Sequence, residues 1–212
     1  MKLKIMIMAA LASMFLCSCG EQQPKFEKKG RLLVIVDVQR DFFDPSGSLY
    51  VQGSEVLPEK IMGLAGIYDG VILTMDWHPG DHCSFVPNGG TWPPHCVAYT
   101  QGAGLPDEFF IMLRSKHKHK ARIFLKGCDP DKEEYGAFND LSEYPELEYW
   151  FKNCDRVDVC GIAGDYCVKE TTKNILKYVH AEKICILKDY TRSIDGGEAL
   201  DKFITDNSLQ SR

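Results

Sequence analysis

The sequence is expected to fold as an α/β domain, a three-layer α/β/α sandwich built on a Rossmann-like parallel sheet. Two observations predict this. Short runs rich in β-branched residues show no alternation of polar and apolar positions, which marks strands buried on both faces. Stretches of helical periodicity separate several of them, and alternating strands and helices imply a parallel sheet with helices on both sides. The first run is Arg31 to Val36, ending at Asp37. The second is Gly70 to Met75, ending at Asp76, and the third is Ala121 to Leu125, ending at Lys126. Arg156 to Gly161 is the fourth and Lys183 to Leu187 the fifth. Between them, Val56, Ile61, Leu64 and Ile67 fall on one helical face. Val168, Thr171 or Thr172, Ile175 and Val179 form another, and Ala199, Phe203 and Ile204 suit a closing helix. Trp77 to Pro106 is long, rich in Gly and Pro and without periodicity, and loops of that length are usually functional.

The amino terminus reads as a separate object. Lys2 and Lys4 precede an apolar run from Ile5 to Leu16, followed by Cys17, Ser18 and Cys19. Residues 1–19 have the layout of a lipoprotein-type signal peptide, too short to span a bilayer, with Cys19 as the lipid-bearing residue. A plain secretory signal, or a segment upstream of the used start, gives the same pattern. Residues 20–30 read as a polar tether and 31–212 as one domain. The expected location is the bacterial cell envelope, facing the periplasm or exterior, or the cytoplasm if the segment is not a used signal. Membrane contact would then run only through the lipid on Cys19. A composition 44% hydrophobic and 26% charged supplies a full core. With a net charge of -5 and no basic stripe, nucleic acid is excluded as a partner. A small-molecule substrate is expected, and a homo-oligomer is left open. Of nine cysteines, removing Cys17 and Cys19 leaves seven, an odd number without disulfide-framework or zinc-ribbon spacing.

In open α/β sheets ligands sit at the carboxyl ends of the strands. There the sequence delivers Asp37, Asp76 with His78, Lys126, and the turn Gly161 to Tyr166 leading to Cys167 at the head of a helix. The helix terminus and a nearby Lys126 ammonium are expected to lower the thiol pKa. The elbow amides of Ala163 and Cys167 are the expected oxyanion donors. Asp37 suits the role of proton carrier and is the natural partner for Lys126. Asp76, His78 and His95 are the expected core ligands of one divalent metal ion, Zn²⁺ first, with Fe²⁺ or Mn²⁺ also compatible. His82 is either a fourth ligand or a group behind the ligands. His117, His119 and His180 read as solvated charge. Phe42, Trp92, Tyr135 and Tyr166 flank these motifs as candidate walls of a flat pocket for a planar aromatic substrate.

These segments carry a resemblance. LLVIVDVQRDFF, VILTMDWHPGDHCSF, WPPHCV, IFLKGCDP, GIAGDYCVKET and YTRSIDGGEAL, in order over most of residues 31–205, resemble the isochorismatase-like cysteine hydrolases, and within them the nicotinamidase/pyrazinamidase family. The resemblance implies an isochorismatase-like hydrolase fold and an Asp37, Lys126, Cys167 triad. It also implies metal ligation by Asp76, His78 and His95 with His82 at the further loop position, and a cis peptide bond at Ile162–Ala163. The implied activity is amide hydrolysis of nicotinamide to nicotinate and ammonia in NAD salvage, with pyrazinamide as a second substrate. Arg40 and Gly164 depart from the family pattern, where Asn and Thr are usual. Two other readings compete. A sister hydrolase acting on a carbamoyl compound or another small amide would generally lack the metal set. A non-catalytic, lipid-anchored ligand-binding protein would have no need of a thiol at a helix head.

Overall fold

The computed structural model describes residues 30–115 and 121–212. The expectations for Cys17, Cys19, the signal, most of the tether, His117 and His119 lie outside them. Six strands form one sheet: β1 (Arg31–Val36), β2 (Gly70–Asp76), β3 (Ala121–Lys126), β4 (Arg156–Ile162), β5 (Ile184–Arg192) and β6 (Gln210–Ser211). Their spatial order is β3-β2-β1-β4-β5-β6, and every pairing is parallel. This is the doubly wound arrangement, with its crevice where the order reverses beside β1.

Helices cover both faces. The first short turn is α1 (Arg40–Phe43), followed by α2 (Leu57–Ala65) and α3 (Asp107–Ser115). Then come α4 (Pro145–Asn153), α5 (Lys169–Ile175) and α6 (Glu198–Asp206). Alternation along β1 divides the core. Leu33 and Ile35 pack with Leu57 and Ile61 of α2 and Phe109 and Met112 of α3. Leu32, Val34 and Val36 pack with Trp150 of α4, Ile175 of α5 and Ile204 of α6. Val36 and Leu32 through Val34 are 0% exposed, as a strand covered on both sides requires.

Several expected boundaries shift. The helix expected to include Val56 and Ile67 ends short of both, and they are 44% and 56% exposed. Pro58 sits in the first turn, where its missing N–H costs nothing, and the chain leaves the helix at Gly66. The helix expected through Val179 is a π-turn, Gly164–Val168, running into α5, which stops at Ile175. β5 extends to Arg192, past the apolar run, because a register shift opposite Val159 and Gly161 carries the pairing on through polar residues. Near the amino-terminal end of β4, Asp158 is fully buried. It accepts hydrogen bonds from Tyr68 Oη (2.6 Å), Arg156 Nε (2.5 Å) and an Arg212 guanidinium nitrogen (2.8 Å). That closes β6 and the chain end onto β4.

Candidate active site

The carboxyl edge of the sheet collects the expected residues. Asp37 lies one residue past β1 with φ 48°, which turns the chain out of the strand. Asp76 ends β2 and Lys126 ends β3, and the two are register partners across those strands. After β4 the chain passes through Ala163 and the π-turn that contains Cys167. The Ile162–Ala163 peptide bond is cis. Gly161, at φ 126°, backs directly onto the Val36 backbone, where a Cβ would overlap the Val36 carbonyl. Only glycine lets the elbow start this close to β1. The space beside Gly164, where the family pattern has Thr, is taken by Ser193, Thr191 and Leu200. Arg40, the other departure, points outward to Asp107 at 3.0 Å.

Lys126 is the hub. Its ammonium lies 2.9 Å from Asp37 Oδ2, 2.5 Å from Asp76 Oδ1 and 3.5 Å from Cys167 Sγ. Its side chain is 1% exposed. Burial opposes its charge, but the two carboxylates outweigh burial and hold its pKa well above the ordinary lysine value. Burial likewise opposes ionisation of Asp76, and Lys126 with His78 outweighs it, so that carboxyl is held low. For Asp37 burial prevails over Lys126, and its pKa is raised. Asp37 Oδ1 accepts a hydrogen bond from the Thr74 hydroxyl at 2.6 Å. Oδ2 meets Lys126 as an ion pair.

The thiol behaves differently from the sequence expectation. Burial pushes the Cys167 thiol well above its ordinary pKa, against the pull of Lys126, and Asp37 and Asp76 push it the same way. Lys126 does pull it down, but burial first, and then the two carboxylates, outweigh that pull. Attack by this sulfur calls for a base that draws its proton off. Oxygens of Asp37 and Asp76 and the sulfur lie within 4.8 Å of one another, which puts that base in reach.

Asp76, His78 and His95 are all buried and offer ligand atoms within 4.8 Å of one another, a group that can hold a metal ion. His78 Nδ1 pairs with the Gly127 carbonyl at 2.9 Å and His95 Nδ1 with the Pro93 carbonyl at 2.8 Å. A carbonyl can only accept, so both Nδ1 atoms carry the hydrogen and both Nε2 lone pairs remain for a ligand. Burial lowers the His95 pKa; for His78 burial acts downward, but Asp76 outweighs it and raises the net value. Gly127 has φ 65°, and a Cβ there would overlap the His78 ring. His82 stands beside His78 with ring centroids 4.1 Å apart, but both its nitrogens are engaged. Nδ1 pairs with the Ser84 hydroxyl at 2.7 Å and Nε2 with the Lys132 carbonyl at 3.1 Å. His82 is not among the residues whose ligand atoms converge within 4.8 Å of one another. His180 is exposed.

Phe42, Trp92, Tyr135 and Tyr166 line one cleft with Ala163, Cys167, Asp76, His78 and His95. Trp92 Nε1 donates to Tyr135 Oη at 3.0 Å, and Trp92 meets Tyr166 edge-on at 5.2 Å. Leu49, Val51, Glu133, Glu134 and Ile194 also line it and were not singled out in the sequence, because each lies in a segment with no periodic signal. Thr74 was likewise missed. As an inward position two residues before Asp76 on β2, it could have been found once β1 and β2 were paired.

Comparison with known proteins bears directly on this cleft. No protein-family model matches the chain. The nicotinamidase of Saccharomyces cerevisiae is 33% identical over 205 residues, covering 81% of this chain and 93% of that protein. The nicotinamidase/pyrazinamidase of Mycobacterium tuberculosis is 36% identical over 165 residues, covering 74% and 84%. The chain belongs to the nicotinamidase/pyrazinamidase family. Solved members of this family agree. PnC1 of L. infantum in complex with nicotinate superposes with a TM-score of 0.73 at 32% identity, over 86% of this chain and 91% of that one. The pyrazinamidase of Pyrococcus horikoshii in complex with zinc gives 0.65 at 31% identity, over 86% and 98%. The doubly wound sheet is thus a nicotinamidase fold.

Proposed function

We propose that this family member hydrolyses nicotinamide to nicotinate and ammonia, with pyrazinamide as a second substrate, through a thioester on Cys167. The carrying observation is the buried cluster in which Lys126 touches Asp37, Asp76 and Cys167 on the floor of an aromatic cleft. Asp37 removes the thiol proton as Sγ attacks the carboxamide carbon, and passes it to the departing nitrogen, which leaves as ammonia. A water molecule then loses a proton to Asp37 and attacks the thioester, releasing the carboxylate and restoring the thiol. Lys126 keeps the negative charge at Asp37 tolerable while the proton is elsewhere. The amides of Ala163 and Cys167 are assigned to the developing oxyanion. Trp92, Tyr135, Tyr166 and Phe42 are assigned to the ring of the substrate.

Asp76, His78 and His95 would hold one divalent ion, zinc in this proposal, which when bound supplies a cationic contact for a ring nitrogen. The donor set and the freed Nε2 atoms support it, together with the zinc-bound pyrazinamidase neighbour. The envelope location, the signal over 1–19 and lipidation at Cys19 are proposed on sequence grounds. Globomycin-sensitive processing and labelled lipid on Cys19 are the expected results, and unprocessed cytoplasmic protein would overturn them. For the reaction, ammonia release from nicotinamide is expected of the unaltered chain. Cys167→Ala should abolish it with metal content unchanged; wild-type turnover in that variant would refute the mechanism.

A further inference from the structure

We infer that Gln39 is the positioning residue that fixes Asp76, and with it the metal-ligand set; this rests on the metal reading above. The β1–β2 ladder has its last register pair at Val36 and Thr74, and Asp37 N–H donates to the Thr74 carbonyl at 3.2 Å. Then the chain turns away at Asp37. In a parallel pair alternate residues present both N–H and C=O to the same neighbour. Thr74 faces β1, and Trp77 faces β3, donating to the Lys126 carbonyl at 2.9 Å. Asp76 therefore presents its peptide groups to a β1 that is no longer there.

The Gln39 side chain fills that gap. Its Oε1 accepts from Asp76 N–H at 2.8 Å, and its Nε2 donates to the Asp76 carbonyl at 2.8 Å. The amide thus imitates one rung of a strand. Its second Nε2 hydrogen goes to the Ala103 carbonyl at 2.9 Å. That carbonyl closes the loop that carries His95, which is held from the same side by Arg40 and Asp41 N–H donors to Gly104 and Gly102. Asp41 also accepts the Cys96 N–H at 2.7 Å, next to His95. Gln39 is 0% exposed, and these three bonds use both amide hydrogens and its oxygen. Asp76 divides its carboxylate between Lys126 on Oδ1 and His78 on Oδ2. A rotation of its backbone would disturb both at once, so the side-chain rung holds the acid in register with the loop that delivers the third ligand.

The test is zinc affinity, read by competition with a chromophoric chelator, alongside thermal melting of the metal-free and zinc-loaded protein. Gln39→Met keeps the volume and removes all three bonds; Gln39→Asn keeps the amide but falls one methylene short. If Gln39→Met does not fold, Gln39→Asn carries the test. The expected result is a zinc dissociation constant raised about 10–100-fold, as for other groups that orient ligands. Ile204→Ala, in the core under α6, serves as a control for general destabilisation and should leave zinc affinity within about twofold. A folded Gln39 variant with wild-type zinc affinity, or one weakened no more than the control, overturns the inference alone. Failure of the unaltered chain to bind zinc overturns the metal reading and this inference together.

Discussion

Replacing Lys126 with Met should separate the contribution of the buried cation from that of the residues around it. The substitution retains most of the side-chain volume and removes the ammonium 2.9 Å from Asp37 and 2.5 Å from Asp76. Breaking a buried ion pair from one side costs about 3–5 kcal/mol, because the remaining charge stays buried. Here two carboxylates remain, with oxygens within 4.8 Å. At an effective dielectric of about 20 their repulsion is about 3.5 kcal/mol, or about 2.5 pKa units. Asp37 is already raised and absorbs the change by holding a proton at neutral pH. It then cannot take the Cys167 proton, and kcat/KM for nicotinamide should fall by about 10³-fold. In the variant the folded state binds a proton that the unfolded chain releases above its ordinary carboxylate pKa. Its stability therefore falls as pH rises through that interval, and the deficit against the unaltered protein should be smaller at pH 5 than at pH 8. Ammonia release and paired thermal melts at the two pH values measure both effects. A deficit equal at the two pH values, or a kcat/KM within tenfold of the unaltered protein, would refute the argument.

Three further outcomes are expected. His95→Ala should purify without its metal and bind substrate weakly, whereas His82→Ala should retain metal; atomic absorption distinguishes them, and full occupancy in the first would sink the ligand assignment. Gly127→Ala forces a left-handed conformation on a residue with a Cβ that meets the His78 ring, so zinc affinity should drop about tenfold or more, read by chelator competition. Burial raises the Cys154 thiol to about 11. The unfolded chain ionises that thiol from about pH 9 while the folded one does not, so stability is lost between about pH 9 and 11. Cys154 accounts for up to about 2–3 kcal/mol of that loss. Chemical denaturation of Cys154→Ala at pH 8 and 10.5 should show a smaller alkaline loss than the unaltered chain.

The strands were legible where burial on both faces wrote a continuous apolar run, as in Leu32 to Val36. β6 was not, since Gln210 and Ser211 are exposed and polar and belong to the sheet only through pairing with β5. α3 and α4 are nine residues each, and their inward positions, Phe109 with Met112 and Leu147 with Trp150 and Phe151, are too few to stand out against neighbouring loops. The residues at the carboxyl edge of the sheet could be read because a charged group at the end of a buried strand is conspicuous. Their electrostatics could not. That Asp76 shares Lys126 depends on the β2–β3 register, and the burial that raises the thiol depends on the packing around the elbow, neither of which a linear sequence displays. Gln39 was invisible for a similar reason, since its partners lie 37 and 64 residues away and are backbone atoms.

The place of β1 in the sheet also sets an order of events for the newborn chain. One edge of β1 can pair with β2 soon after both are made, but its other edge waits for Arg156–Ile162, beyond α3, β3 and α4. Until then a run of Leu, Val and Ile presents open peptide groups, the kind of edge that invites pairing with other chains. The same late strand brings Cys167. A chain halted before it therefore has Asp37, Lys126 and the Asp76, His78 and His95 cluster but neither the second neighbour of β1 nor the Cys167 thiol, so the thiol arrives only with the step that covers the exposed edge.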